Sequence, residues 1–212
     1  MKNTIFFLLL TFIFFNAEAQ YDDWTEAKVY LKDGTTLEGH ARLTYAVANA
    51  SGLSINLGSK EYLRFINFEI KQKRSTKFTP EEIDKVVFDL NYKVKGRRLK
   101  RKATFIPVIM FKNEKNKKIR LGFAELVIDG FLKLVEKPVV ANGTGSHYAG
   151  AFLIRRNEQA VLLNSTELKS FKKRASEYFK DCPNLILKIE SKIYTRKDSK
   201  AIIKFYNDNC AK

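Results

Sequence analysis

The stretch "AKVYLKDGTTLEGHARL", residues 27–43, decides the fold class. Val29 and Leu31 alternate with Lys28, Tyr30 and Lys32, which is the period of two that gives a strand one apolar face. Asp33-Gly34 supplies the backbone freedom of a tight turn, and residues 35–43 run back. The stretch therefore predicts a β-hairpin, and the regions around it repeat the theme.

Residues 53–57 and 62–70 are further strand candidates, the latter with apolar residues on both faces. In "FTPEEIDKVVF", residues 78–88, the pattern changes. Thr79 suits a helix cap, Pro80 the first helical position, and Glu82 stands three after Thr79 as in a capping box, so a turn or two of helix is expected there. Val86, Phe88, Leu90, Tyr92 and Val94 then alternate with Val87, Asp89, Asn91, Lys93 and Lys95, which marks a strand with one buried face. "ATFIPVIMF", "KIRLGF", "ELVIDGFLKLVEK", "HYAGAFLIRR" and "QAVLL" follow, each short and bounded by Gly, Asn, Lys or Pro. Such a series predicts an antiparallel meander, either open or curled towards a barrel. No alternation of strand and helix units occurs, which argues against a doubly wound nucleotide-binding fold.

From Asn164 the period becomes helical. Asn164 and Glu167 resemble a cap, and Leu168, Phe171, Ala175, Tyr178 and Phe179 fall on one face. "CPNLILKIES" starts a second helix at Pro183, and "DSKAIIKFYNDNC" makes a third with Ile202, Phe205 and Tyr206 at helical spacing. The expected architecture is α+β. Residues 20–163 form a β-rich region, and residues 164–212 form a tail of about three helices packed on the same core.

The first 19 residues have the grammar of a secretory signal peptide: Lys2, an apolar run over residues 5–15 broken only by Thr11, and Ala17-Glu18-Ala19 as an A-x-A site. That run is shorter than the roughly 20 residues a membrane-spanning helix needs, so no transmembrane segment is expected in the mature chain. Export to the periplasm, the outer-membrane face or the medium follows. Removal of residues 1–19 takes away Lys2 and Glu18 together, so the side chains keep their formal +16. With 45% hydrophobic and 13% aromatic residues, that charge sits on a packed globule and not on a disordered basic tail.

The charge is densest in "VKGRRLKRK", residues 94–102, which carries six basic side chains in nine residues. Arg97, Arg98, Lys100, Arg101 and Lys102 are the candidate anion contacts. A solvated hairpin tip is the plain reading of this stretch. Contact with an anionic glycan or lipid of the envelope, or with an outer-membrane protein, is the functional one. Nucleic acid is disfavoured by export and by the lack of a readable recognition helix or zinc finger.

The catalytic inventory is thin. His40 and His147 lie far apart, no G-x-S-x-G elbow occurs, and Ser146 beside His147 in "GTGSHY" would point to the opposite face on a strand. The G-T-G in that loop is followed by strand-like sequence, whereas a phosphate loop needs a helix N-terminus after it. No catalytic residue, metal site or cofactor is expected. A hydrolase built on scattered carboxylates is the competing reading, and it requires a concave pocket with two converging acidic side chains.

The two cysteines, Cys182 and Cys210, fall at the start of the second tail helix and the end of the third. An oxidising compartment lets such a pair persist as a disulfide, and two buried free thiols are the other reading. The hairpin "VYLKDGTTLEGHARL", the "FTPEEIDKVVF" turn, "DGFLKLVEK" and the ending "DCPNLILKIESKIYTRKDSKAIIKFYNDNC" together resemble a family of exported envelope proteins of Bacteroidota-type bacteria. "DGTTLEG" is a variant of that family's more usual G-D-T-I-x-G. The resemblance implies an envelope context and supports pairing of the cysteines, and it transfers no catalytic residue.

Overall fold

The hairpin forms as its sequence reads. In the computed structural model, which describes residues 24–44, 47–48, 61–68, 74–94, 97–113, 118–141, 147–155, 158–162 and 170–211, strand β1 (Thr25–Leu31) pairs antiparallel with β2 (Thr36–Thr44). Gly34 takes φ +91°, a conformation that favours glycine, and the Asp33 carboxylate accepts the Thr35 backbone N–H at 2.8 Å. The expected signal peptide, the strand candidate at 53–57 and the cap at 164–167 lie outside the described residues.

Nine further strands follow among the described residues: β3 (Val47–Ala48), β4 (Tyr62–Asn67), β5 (Thr76–Phe78), β6 (Ile83–Val94), β7 (Arg97–Asn113), β8 (Lys118–Ile128), β9 (Leu132–Ala141), β10 (His147–Arg155) and β11 (Val161–Leu162). Their order in the sheet is β11-β10-β9-β8-β7-β6-β1-β2-β4-β5, antiparallel throughout, with β3 pairing parallel to β9 off that path. Sequential strands from β6 to β11 are neighbours, as a meander requires. The N-terminal hairpin then docks on β6 through β1.

The expected helical turn at Thr79 is not a helix. Glu82 does accept the Thr79 backbone and hydroxyl protons at 2.7 and 2.8 Å, as in a capping box. The Glu82 carbonyl, however, accepts the Lys32 N–H at 2.9 Å, and Leu31 pairs with Ile83, so the sheet captures the chain before a helix can propagate. Thr79 and Glu82 close a turn that leads into β6.

The sheet buries apolar residues on both faces, in separate clusters. On β1, β2, β4, β6 and β7, one face buries Val29, Leu43, Leu63, Val86, Phe88 and Phe105 in a single cluster that also includes Phe123 of β8. The alternate residues of β7, Ile106, Val108 and Met110, face a separate cluster with Ala124, Val135, Phe152 and Ile154. A curl is demanded by chain reach. From β2 to β9 the sheet takes five strand steps, about 24 Å if flat, yet β3, which pairs with β9, begins three residues after Thr44, within about 11 Å of chain. The sheet is nevertheless not closed, since its hydrogen-bonded order ends at β5 and β11. The α+β expectation of an antiparallel sheet followed by a helical tail is the outcome, and the sheet curls without closing into a barrel.

The tail consists of α1 (Phe171–Tyr178), α2 (Pro183–Glu190), a short 3₁₀ turn (Arg196–Asp198) and α3 (Ser199–Asn209). Ser170 caps α1 by accepting the Lys173 N–H, Pro183 opens α2, and Thr195 with Asp198 makes a reciprocal box ahead of α3. Ala175, Phe179, Leu185, Ile189, Ile202, Ile203 and Tyr206 are buried together with Leu132, Leu134 and Leu153 of the sheet. The helices therefore share a core with β9 and β10. No helix among the described residues is long and apolar enough to cross a membrane.

Candidate anion-binding face

Among the described residues the basic stretch is part of a β-ribbon, with Val94 at the end of β6 paired directly with Arg97 at the start of β7. Strand alternation then divides its side chains. Phe88 lies opposite Ala103 and Leu90 opposite Arg101, so Arg101 sits on the core face of the ribbon. Its guanidinium forms a two-pronged pair with Glu125 of β8, with Nη2 to Oε2 at 3.0 Å and Nη1 to Oε1 closer still. Lys102 lies opposite Asp89 and Lys100 opposite Asn91, which puts Lys102, Lys100 and Arg98 on the other face, all exposed. Of the five sequence candidates, three share the outer face, Arg101 does not, and Arg97 is placed by its backbone pairing alone.

A shallow depression next to this ribbon is lined by Glu26, Asp89, Asn91, Lys100 and Lys102 among others. Lys102 Nζ stands 3.7 Å from Asp89, an exposed pair that holds little energy. Two carboxylates thus line one depression, but cations stand among them. Among the described residues, no group of three or more His, Cys, Asp and Glu is placed to hold a metal ion. His40 lies edge-on to Phe68, and the His147 backbone pairs with Val140 in β10. Residues 143–146 of the "GTGSHY" loop lie outside the described residues.

Two polar constellations escaped the sequence reading. The first is Glu61 with Lys137, whose side chains are only 3% and 1% exposed. Lys137 Nζ donates to Glu61 Oε1 at 2.6 Å, to Oε2 at 2.8 Å and to the Phe123 carbonyl at 3.0 Å, while Glu61 Oε2 accepts the Phe123 N–H at 2.8 Å. Phe123 lies opposite Pro107 on β7, and the N–H and C=O of a strand residue point to the same side. At Phe123 that side faces away from β7, where β9 has left β8, since their pairing begins only at Glu125. The ion pair takes the place of the missing strand. Burial pushes the Lys137 ammonium below its ordinary value, and the neighbouring Glu61 carboxylate opposes that shift. Lys137 shares strand parity with buried Val135, and a lysine on an apolar register was the available signal.

The second constellation fastens the tail. Asp181 accepts both Nη groups of Arg155 at 3.1 Å and the Tyr206 hydroxyl at 2.6 Å. The Arg155 guanidinium lies 4.6 Å from the Tyr178 ring and 5.1 Å from that of Tyr206, and it donates to the Tyr178 carbonyl at 2.7 Å. Beside it, Cys182 and Cys210 stand at disulfide distance with Cα atoms 5.6 Å apart, as the resemblance and the helix order led one to expect. Asn207 bonds the Leu132 N–H and carbonyl at 2.9 Å each, a side-chain imitation of a strand pairing. These contacts position the tail on the sheet.

Compared with known proteins, the chain matches no protein-family model, no curated protein and no solved structure.

Proposed function

We propose that the chain is an exported, non-enzymatic envelope protein, a binding module for anionic envelope components that uses the outer face of the β6–β7 ribbon. The observation that carries this reading is the placement of Arg98, Lys100 and Lys102, three cations at alternate positions of one exposed strand face. The signal-like leader, the resemblance to exported envelope proteins, the thin catalytic inventory and the formal +16 all support it. Cations close to an anionic surface contribute about 1 kcal/mol each, so three together support retention by roughly two orders of magnitude.

The test is retention of the full chain on lipopolysaccharide and on anionic vesicles. The triple variant R98S/K100S/K102S should bind on the order of 100-fold more weakly, and the wild-type protein should elute as salt rises. Binding indifferent to both changes removes the reading. The competing hydrolase reading keeps one foothold, Glu26 and Asp89 in the same depression. A hydrolytic activity lost in E26Q/D89N would favour it.

A further inference from the structure

The outer face continues well beyond the ribbon. Lys100 lies opposite Asn91, and the register that sets Ala27 opposite Phe88 brings Asn91 into line with Trp24. The register that sets Thr25 opposite Ala41 brings Trp24 into line with Arg42, which lies directly opposite Arg64, and Arg64 lies directly opposite Lys77. One cross-strand row thus runs over β7, β6, Trp24 (just ahead of β1), β2, β4 and β5, about 24 Å from end to end. Four of its six positions are cationic.

Three of those cations, Arg42, Arg64 and Lys77, are consecutive. Like charges directly opposite one another in a sheet are destabilising. On the same face, Glu38 pairs with Lys28 and Asp89 with Lys102, and Glu26, opposite His40 and so diagonal to Arg42, makes no salt bridge to the row among the described residues. Among the described residues, Arg42, Arg64 and Lys77 have no carboxylate partner. Their company is aromatic instead: Arg42 lies 5.2 Å from the exposed Trp24 ring, and Arg64 and Lys77 lie 5.6 and 4.9 Å from the Tyr62 ring. Arg64 Nε is buried with no hydrogen-bond partner. A hydrogen bond from Arg64 to the Tyr62 hydroxyl, at 3.4 Å, is the leading cause that holds this phenol below its ordinary value, in keeping with an excess of positive charge here.

We infer that this row is the body of the binding site and that its ligand is an acidic glycan, a sugar chain carrying carboxylate, sulfate or phosphate groups. The inference rests on the reading of the outer face as an anion-binding surface and names its occupant. Charge complementarity requires several oxyanions spaced along a line, since three cations follow one another at single strand steps. The row lies opposite the face that buries Val29, Leu43 and Phe88 against one another across the strands, which makes its own side the outer, convex side of the curl. A flat membrane touches only the crest of a convex surface, whereas a flexible polymer follows it over the whole row. Base stacking in single-stranded nucleic acid needs open ring faces. Here Arg42, Arg64 and Lys77 crowd the rings, an arrangement that places charge and not a free stacking platform beside the ligand.

The experiment uses the full chain with heparin fragments as the probe for an acidic glycan. Neutral dextran, phosphatidylglycerol vesicles and an oligo-dT strand are compared at matched salt. R42Q/R64Q/K77Q should lose heparin affinity by on the order of 100-fold and show a shallower salt dependence. Its Tm without ligand should equal or exceed that of the wild type, because the opposed charges are gone, and the Tm rise that heparin gives the wild-type protein should vanish. R42Q/K77Q, which leaves the partly buried Arg64 in place, should lose on the order of 30-fold and keeps the test open should the triple variant fold poorly. Wild-type heparin affinity in the row variants overturns the inference, as does tighter binding to vesicles or oligo-dT than to heparin. Loss of binding in R98S/K100S/K102S alone overturns the inference and leaves the ribbon reading standing. Wild-type binding in both sets overturns both.

Discussion

Asp181 shows how one carboxylate joins parts of the chain that the sequence keeps apart. Burial pushes its carboxyl upward, but the hydrogen bonds from the Tyr206 hydroxyl and the Arg155 guanidinium outweigh burial and hold it below the ordinary aspartate range. A depressed folded value means that the unfolded chain binds the proton more readily. The stabilisation is therefore complete above about pH 3.9, the ordinary aspartate value, and is lost as pH falls through the lower folded value. Thermal unfolding followed from pH 7 to pH 2 should show wild-type protein more stable than D181N at neutral pH, with the gap closing below about pH 4. A gap that stays constant to pH 2 would mean that the Asp181 carboxylate does not titrate with folding. Tyr206 and Tyr178 move the other way, both pushed up to about 12 chiefly by burial, so the Tyr206 hydroxyl remains a donor throughout this range. Helical spacing placed Tyr206 on an apolar face correctly, but nothing in "KDCPN" announced Asp181, because its partners lie 25 and 26 residues away.

Among the elements, the tail depends most on covalent help. α1 and α2 have eight residues each and α3 has eleven, lengths at which isolated helices are marginal in water. The bond between Cys182 and Cys210 closes a loop with a sequence separation of 28, for which chain entropy suggests about 3.6 kcal/mol. C182S/C210S should lose up to about that much stability in urea unfolding, with the helical circular dichroism melting ahead of the sheet signal. Thiol titration of the unfolded, unreduced wild-type chain should find no free thiol, and two free thiols would sink the claim. The tail helices were legible because each carries its own start signal and a 3.6-residue apolar stripe. The turn at Thr79 was misread for an instructive reason. Its capping hydrogen bonds are local and real, but the pairing of Leu31 with Ile83 spans some fifty residues and wins. Likewise, period-two alternation identified β6 and the meander that follows, yet it says nothing of where β1 inserts.

At the scale of the whole molecule, the curl is held by a tie that alternation could not reveal. The register of β7 splits the basic stretch between two faces, and only the fold decides that Lys100 aligns with Arg42, Arg64 and Lys77. The same curl brings Glu61, next to β4, against Lys137 of β9, although these strands are far apart in sheet order. If the pair were only a buried ion pair, replacing both partners with apolar residues would be neutral or stabilising, and removing one would cost about 3–5 kcal/mol. As a surrogate strand it behaves differently. K137M leaves the Glu61 carboxylate buried without its cation, and E61L leaves the ammonium so, and each should cost about 3–5 kcal/mol. E61L/K137M removes the uncompensated charge but leaves the Phe123 N–H and carbonyl without partners, each worth about 1–3 kcal/mol. The double variant should therefore recover part of either single loss and still fall about 2 kcal/mol or more short of the wild type in urea unfolding, with faster amide exchange at Phe123. Full recovery would reduce the pair to an ordinary buried salt bridge, and the curl would then rest on apolar packing alone.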